Sequence, residues 1–239
     1  MSRLHDKLIE RYAEHYARVN VEIDPSQAEY NFSSLEATYG DLVRSLPAGS
    51  RLLDLGCGTG LALRWFARQP GIEAMGVDGS PTQVAVANRA LPDVDVICED
   101  GLSFLRRHPN TFNAIFCFDV LEHIPGDDLC FEWVEAARAA LVDGGFFVCR
   151  MPNAANLTGT YGRYIDLTHQ RAFTRATIIQ LLEAADLDDC RIVPIRASHF
   201  SGRARLALEH WLHRVVFYIC GRGLERVFTS NVCAVGYRR

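Results

Sequence analysis

Between residues 51 and 151, short apolar segments alternate with helical ones, and this alternation restricts the fold more than any other property of the chain. Strands are predicted over Arg51–Leu55, Ile72–Val77, Val94–Cys98, Phe112–Phe118 and Phe146–Met151. Helices over Leu61–Arg68, Pro81–Ala90, Leu102–His108 and Asp127–Leu141 separate them. Ser80-Pro81 is a helix start, with a side-chain cap and a ring that needs no N–H, and Asp143-Gly144-Gly145 is a helix stop. Apolar strands joined through helices form a parallel sheet covered on both faces. Upstream, Leu4, Leu8, Tyr12 and Tyr16, and then Leu35, Tyr39, Leu42 and Leu46, fall near helical spacing and predict a helical cap over residues 1–46. Downstream come a helix over Ala176–Ala185, a strand over Arg191–Ile195, an amphipathic helix from Leu208 to Ile219 and a closing strand over Val232–Tyr237. The stretch from Pro152 to Arg171 mixes glycine, asparagine and tyrosine and reads as a functional loop.

A chain of 239 residues that is 49% apolar can bury a full core as one large domain. Its eight cysteines include no C-x-x-C pair, and Cys98, Cys117 and Cys149 lie within apolar runs as small hydrophobes. That usage fits a reducing compartment without disulfides or a zinc site. With no apolar region near Met1 and no stretch long enough to span a bilayer, the expected location is cytoplasmic. The net charge of −4 is uneven. From Arg196 onward eight arginines face only Glu209 and Glu225, a net +6, so the first 195 residues carry −10. A mildly acidic whole gives no support for nucleic-acid binding.

The sharpest local feature is Leu52-Leu53-Asp54-Leu55-Gly56-Cys57-Gly58-Thr59-Gly60, where the first strand turns into the first helix. Three glycines in five residues let backbone approach a ligand closely. A dinucleotide fingerprint needs a glycine where this chain has Leu61, and no Gly-Lys-Ser/Thr follows to make a phosphate-binding loop. Asp54 sits where a pyrophosphate would go; it repels a phosphate and attracts an ammonium group. Asp78 ends the second strand, where an acid accepts hydrogen bonds from ribose hydroxyls. Asp100 follows the third strand, placed to meet an adenine amine. A cationic, phosphate-free head, a ribose and an adenine describe S-adenosylmethionine.

These residues resemble the class I S-adenosylmethionine-dependent methyltransferases, over Leu52–Gly60, Gly76–Asp78, Glu99–Gly101, Phe112–Pro125 and Leu141–Met151. The resemblance implies an α/β, Rossmann-like sheet of seven mostly parallel strands with an antiparallel last strand. It implies a cofactor-binding core over residues 50–151, a substrate loop over 152–175 and a helical insertion over 198–228, all in a single methyltransferase domain. Asp54, Gly56, Cys57, Gly58 and Gly60 would hold the methionine end, Asp78 and Gly79 the ribose, and Asp100 and Gly101 the adenine. Phe118 and Asp119 would face the cofactor from the fourth strand. No Asn/Asp-Pro-Pro-Tyr follows that strand, which weakens an adenine-N6 or glutamine-amide reading. The Leu121-Glu122-His123 form is similar to the small-molecule branch, including quinone and sugar O-methyltransferases.

Methyl transfer to a hydroxyl needs positioning and a base. His123 either serves as that base or packs the loop. Asp166 and His169, in Asp166-Leu167-Thr168-His169-Gln170-Arg171, could pair as carboxylate and imidazole, with Arg171 tying down the loop. The stretch is similar to one in methyltransferases of polysaccharide and lipid-linked glycan pathways. No spacing compels a metal site. Tyr30 and Phe32 are expected to line the cleft.

Residues 203–226 interleave arginines with Trp211, Phe217 and Tyr218. They read either as a contact for membrane or a lipid-linked substrate, or as a helix packed on the sheet or at a homodimer interface; the second is preferred. The expectation is therefore a methyltransferase acting on a small molecule, first a sugar or glycan hydroxyl and second a quinone or phenol. An N-methyltransferase, a catalytically silent cofactor-binding subunit and a nicotinamide dehydrogenase are the alternatives.

Overall fold

The structure, a computed structural model, describes residues 7–8 and 25–239. Of the helices expected over Leu4–Tyr16, all but residues 7–8, which are helical, lie outside the described residues, as does the side chain of Tyr30. The first long helix, α1 (Pro25–Arg44), leads into β1 (Ser50–Leu55), α2 (Leu61–Phe66), β2 (Ile72–Asp78), α3 (Pro81–Ala90) and β3 (Val96–Cys98). Next come α4 (Gly101–Arg107), β4 (Phe112–Phe118), a 3-10 turn (Leu121–His123), α5 (Asp127–Ala140) and β5 (Leu141–Pro152). The chain closes with α6 (Gly159–Tyr164), α7 (Arg175–Ala184), β6 (Asp188–Ile192), α8 (Phe200–Ile219) and β7 (Asn231–Tyr237).

The described residues form one seven-stranded sheet in the order β3-β2-β1-β4-β5-β7-β6. Strands β1 to β5 pair in parallel, and β7 runs antiparallel to both β5 and β6. The chain winds outward from β1 to β3, then restarts on the other side of β1 with β4. Neighbouring turns at the carboxyl ends of β1 and β4 thus part in opposite directions, which opens a crevice between them.

Side chains alternate across the sheet with period two. On β4, Ile115 and Cys117 enter the core beneath α4, α5 and α7, whereas Phe116 and Phe118 enter the core beneath α1 and α2. Phe116 is fully buried and its ring meets those of Tyr39, Phe66, Phe118 and Phe146. All eight cysteines are free thiols. Cys117 and Cys149 are buried as expected, but Cys98 is exposed, because β3 is a short edge strand with only β2 beside it.

Several boundaries differ from the sequence reading, each through strand pairing. Helix α5 stops at Ala140, because Leu141 already pairs with Phe112; Gly144, at φ +78°, sits in an irregularity of β5 and not at the helix end. Strand β6 begins at Asp188, three residues before the predicted start. Its backbone pairs Asp188 with Tyr237 and Ile192 with Ala234, so the register comes from β7 and not from apolar content. Within the predicted loop, α6 forms a short helix. The predicted cap forms, with Ser80 Oγ accepting from Gln83 N–H at 3.4 Å, and Thr174 Oγ1 likewise caps α7 by accepting from Thr177 N–H at 3.3 Å.

Strand β7 lies between β5 and β6 and has seven register partners on β5. Truncation before Arg196 should therefore abolish cooperative unfolding followed by circular dichroism in urea. A soluble fragment that still unfolds cooperatively would show β7 to be dispensable.

Candidate active site

The turn after β1 is built to bring backbone to the crevice. The amides of Gly56 and Cys57 both donate to the Val77 carbonyl, at 2.8 and 3.1 Å, so the turn folds back onto β2. Gly56 has φ +75°, and a Cβ there would come within 2.3 Å of Val120 Cγ2. Only glycine fits that conformation and that gap. Asp78 closes the turn: Oδ2 accepts from Gly58 N–H at 2.9 Å and Oδ1 from Ser80 N–H at 2.8 Å. One carboxylate thus ties the glycine turn to the start of α3.

Two cavities open along this edge and share Gly56, Phe118 and Asp119. One, of about 390 Å³, is lined by Gly58, Asp78, Gly79, Gly101, His123 and Trp133 among others. The other, of about 310 Å³, includes Asp54, Cys57, Tyr39, Arg150, Ser230 and Asn231. Asp54 is 2% exposed, and its Oδ2 has no hydrogen-bond partner among the described residues. Burial and then the Asp78 charge push its pKa from 3.8 to about 7, against the Leu63 amide and Arg150. A buried, unpaired carboxylate oxygen on a cavity wall is suited to an ammonium donor and opposes phosphate. The residues present therefore fit the cofactor that the resemblance implies. Burial also raises the pKa of Asp78, against the Ser80 and Gly58 amides. The Cys57 thiol is pushed up by burial and by Asp54 and Asp78, so it stays neutral.

Not every expected residue reaches the cleft. Gly60 begins α2 at φ +84° and packs on Leu91 and Ala87 away from both cavities. Asp100 is exposed and spends Oδ1 on the Ser103 amide at 2.8 Å, capping α4; Gly101 and Trp133 line that end instead. An acid just before a helix meets an orphan N–H there, which competes with any ligand. Phe32 lies beneath the Arg68 and Arg64 guanidinium groups, at 5.0 and 5.9 Å, and α1 lines the cleft with Ser34, Leu35, Thr38 and Tyr39.

Asp119 stands in the left-handed region at φ +56°. Its amide donates to the Arg150 carbonyl at 2.8 Å, and its carboxylate pairs with the Arg150 guanidinium, which lies 4.6 Å from the Phe118 ring. Burial works against the arginine's charge, but Asp119 outweighs it. Arg150 was missed in the sequence; the available signal is one cation inside the apolar run Phe146–Met151.

The catalytic candidates gather differently from the expected pairing. Asp166 does not bond His169. Its Oδ1 accepts from the Thr168 hydroxyl and amide, both at 2.7 Å, and Thr168 Oγ1 meets His123 Nδ1 at 2.7 Å. Since the hydroxyl gives its proton to Asp166, His123 Nδ1–H is the donor in the second bond. His169 instead donates Nδ1–H to the Gly162 carbonyl at 2.9 Å, and its ring stands 4.6 Å from that of His123. Burial pushes the pKa of Asp166 up, but the Thr168 bonds and the charges of His123 and His169 outweigh it and hold the carboxyl below its ordinary value. Arg171 reaches Asp127 at 3.2 Å and ties the loop to α5. Glu122, also missed, is 1% exposed; burial and then the Asp119 charge raise its pKa well above the ordinary value. Ligand-type atoms of Glu122, His123 and His169 lie within 4.8 Å of one another.

Comparison with known proteins agrees with this geometry. A family model described as a methyltransferase domain matches residues 27–191. The ubiquinone biosynthesis O-methyltransferase of Burkholderia cenocepacia is 29% identical over 164 residues, covering 57% of this chain and 67% of that protein. The enzyme of the same name from Azoarcus is 34% identical over 85 residues, covering 34% and 36%. A SAM dependent methyltransferase from Archaeoglobus fulgidus has a TM-score of 0.68 at 17% identity, covering 95% of this chain and 99% of that one. Phosphoethanolamine N-methyltransferase 2 of Haemonchus contortus, in complex with S-adenosyl-L-methionine, has a TM-score of 0.64 at 17% identity, covering 100% and 60%. At that identity the likeness is one of fold.

The raised pKa of Asp54 has a measurable consequence. The unfolded chain ionises Asp54 near 3.8, whereas the folded chain holds the proton to about 7. Its contribution is therefore fully present below pH 3.8 and is lost as pH rises toward 7, by up to a few kcal/mol. Urea midpoints across that window should fall less steeply for Asp54→Asn than for the wild type. Parallel profiles would contradict the burial of this carboxyl. With the cradle, the crevice and the matched residues in agreement, the chain belongs to the methyltransferase-domain family and is a class I S-adenosylmethionine-dependent methyltransferase.

Proposed function

We propose that the enzyme methylates a hydroxyl of a small-molecule acceptor, a sugar or glycan intermediate first. The observation that carries this reading is that the Asp54 cavity and the His123 cavity adjoin at Gly56, Phe118 and Asp119, so that a buried carboxylate with one unpartnered oxygen and a histidine with an ordered hydrogen-bond relay behind it stand along one sheet edge. When bound, S-adenosylmethionine supplies an electrophilic methyl group, whose bond to sulfur breaks as the acceptor oxygen bonds the carbon. Asp54, with Gly56, Cys57 and Gly58, would hold the ammonium end, Asp78 and Gly79 the ribose, and Gly101 and Trp133 the adenine. Phe118 and the Asp119–Arg150 pair wall off the reacting centre.

With Nδ1–H directed at Thr168, the basic nitrogen of neutral His123 is Nε2, which takes the acceptor's hydroxyl proton. Asp166, through the Thr168 hydroxyl, favours the imidazolium that results. His169 packs against that ring and keeps it upright. Ser34, Thr38, Ser230, Asn231 and Arg150 give the Asp54 lobe hydroxyl, amide and guanidinium groups, which suits a polyhydroxylated acceptor whose reacting hydroxyl extends past Phe118 and Asp119, the residues this lobe shares with the His123 lobe. A quinone or phenol is the second reading, favoured by the name of the Burkholderia relative. We place the enzyme in the cytoplasm and treat residues 1–239 as one functional unit; among the described residues no helix is long and apolar enough to cross a membrane.

Calorimetry with S-adenosylhomocysteine should show Asp78→Ala weakened by about tenfold or more, since the carboxylate that would meet the ribose and that holds the glycine turn is lost. Unchanged affinity would remove the ribose assignment. Formation of S-adenosylhomocysteine against a panel of sugar nucleotides and phenols tests the acceptor. Turnover with phenols alone would overturn the glycan reading, and tight cofactor binding without any turnover would leave a silent subunit. With a competent acceptor, His123→Ala should lower kcat by about a hundredfold or more. Thr168→Val should lower kcat less and move the acidic limb of the pH profile to lower pH, because Nδ1–H loses its link to the carboxylate. An unmoved limb would detach Thr168 from the base.

A further inference from the structure

Helix α8 is mounted the wrong way round for a helix that serves the core. Leu208, Trp211, Leu212, Val215, Tyr218 and Ile219 share one helical face. That face points to solvent, with Trp211 60%, Tyr218 79% and Ile219 76% exposed. The opposite seam is the buried one, and it is polar and aromatic. His213 accepts from the Leu157 amide through Nε2 at 2.8 Å and donates through Nδ1 to the Glu209 carbonyl at 2.7 Å. Glu209 Oε1 accepts from the Asn156 amide group at 2.8 Å, and Phe217 stacks edge-on against Phe228. Of the preferred expectation, a helix packed on the sheet or at a homodimer interface, the packing on the sheet is thereby corrected: hydrogen bonds to the Asn153–Thr158 turn fix the rotation of the helix, and they turn its aliphatic side chains outward.

Charge decides what such a face suits. Arg203 and Arg214 flank it on one side and Arg205 on the other, with Arg222 and Arg226 beyond the helix end. The two acids of this region are both engaged inward, Glu209 by Asn156 and Glu225 by the amides of Arg226 and Val227. A groove of about 620 Å³ runs between α8 and the following turn, lined by Trp211, Arg214, Tyr218 and Glu225 among others, with the Glu225 carboxylate paired to Arg175. Two copies docking through this face would bring ten arginines together without a counter-charge among the described residues, which opposes self-association. An apolar arc with aromatic side chains and a cationic rim fits the interface of an anionic lipid bilayer, where the helix lies in the plane and does not span.

We propose that α8 docks this enzyme on an anionic membrane surface. The insertion that carries α8 leaves the body after Ile195 and returns at Ser230 and Asn231, and all three line the lobe that holds Asp54. Docking therefore sets the cleft beside the bilayer, where an acceptor with a lipid anchor is reached without leaving it. The inference stands apart from the identity of the acceptor, because its test needs neither cofactor nor acceptor.

The test is co-sedimentation of the full chain with phosphatidylcholine vesicles, with and without about one-third phosphatidylglycerol. Binding is expected to the anionic vesicles, to weaken in high salt, and to bring a blue shift of tryptophan emission that Trp211→Phe removes. Leu212→Glu/Ile219→Glu and Arg203→Gln/Arg214→Gln should each weaken partitioning by about tenfold, with unchanged circular dichroism. No binding, equal binding to neutral vesicles, or equal binding by these exposed-face variants would overturn the proposal. So would a dimer in light scattering that Leu212→Glu/Ile219→Glu dissociates, since the face would then join two copies of the chain.

Discussion

A carboxylate kept dry at the point where the sheet changes direction is the constraint around which the site is arranged. Asp54 lies one residue from the end of β1, deep enough that water does not reach it. Ionisation there is unfavourable until a cation arrives, so the folded chain holds a site primed for positive charge. Asp78 adds to that tendency, because it is the charge nearest in effect to Asp54 while its own oxygens hold the glycine turn in place. The two acids divide the work. One keeps an oxygen unpartnered to meet a ligand, and the other is partnered so that the turn keeps its shape.

The far side of the cleft follows a different logic. Asp119 and Arg150 neutralise one another across neighbouring strands, with backbone and side-chain bonds in parallel, and the arginine lies over the Phe118 ring. That pair gives a polar wall without adding net charge to a cleft that already holds two acids. Below it, Thr168 converts a carboxylate and an imidazole from distant parts of the chain into one hydrogen-bonded line. A hydroxyl between the two carries the polarity of Asp166 to His123 without direct contact.

Much of the cofactor side was legible from order along the chain. The turn after β1, the acid ending β2 and the break after β4 are each tied to the end of one strand, and strand ends can be read from local pattern. Asp100 shows the limit of that reading. It occupies the expected position, but a local demand for a helix cap takes its side chain. Arg150 and Trp133 went unread because nothing in their immediate neighbours marks them, and Glu122 was legible only as part of the Leu121-Glu122-His123 form; each matters through a partner on another element.

The sequence by itself determined the α/β winding, the glycine turn with its buried acid and hence the class of cofactor, because these depend on periodicity and on residues close together in the chain. Tertiary structure alone decided that Asp166 reaches His123 through Thr168, that Arg150 pairs with Asp119, and that α8 turns its apolar face to solvent. The physical reason is the same in each case. Sheet register and the rotation of a docked helix are set by hydrogen bonds between segments tens of residues apart, and no local pattern records which side chain will stand opposite which.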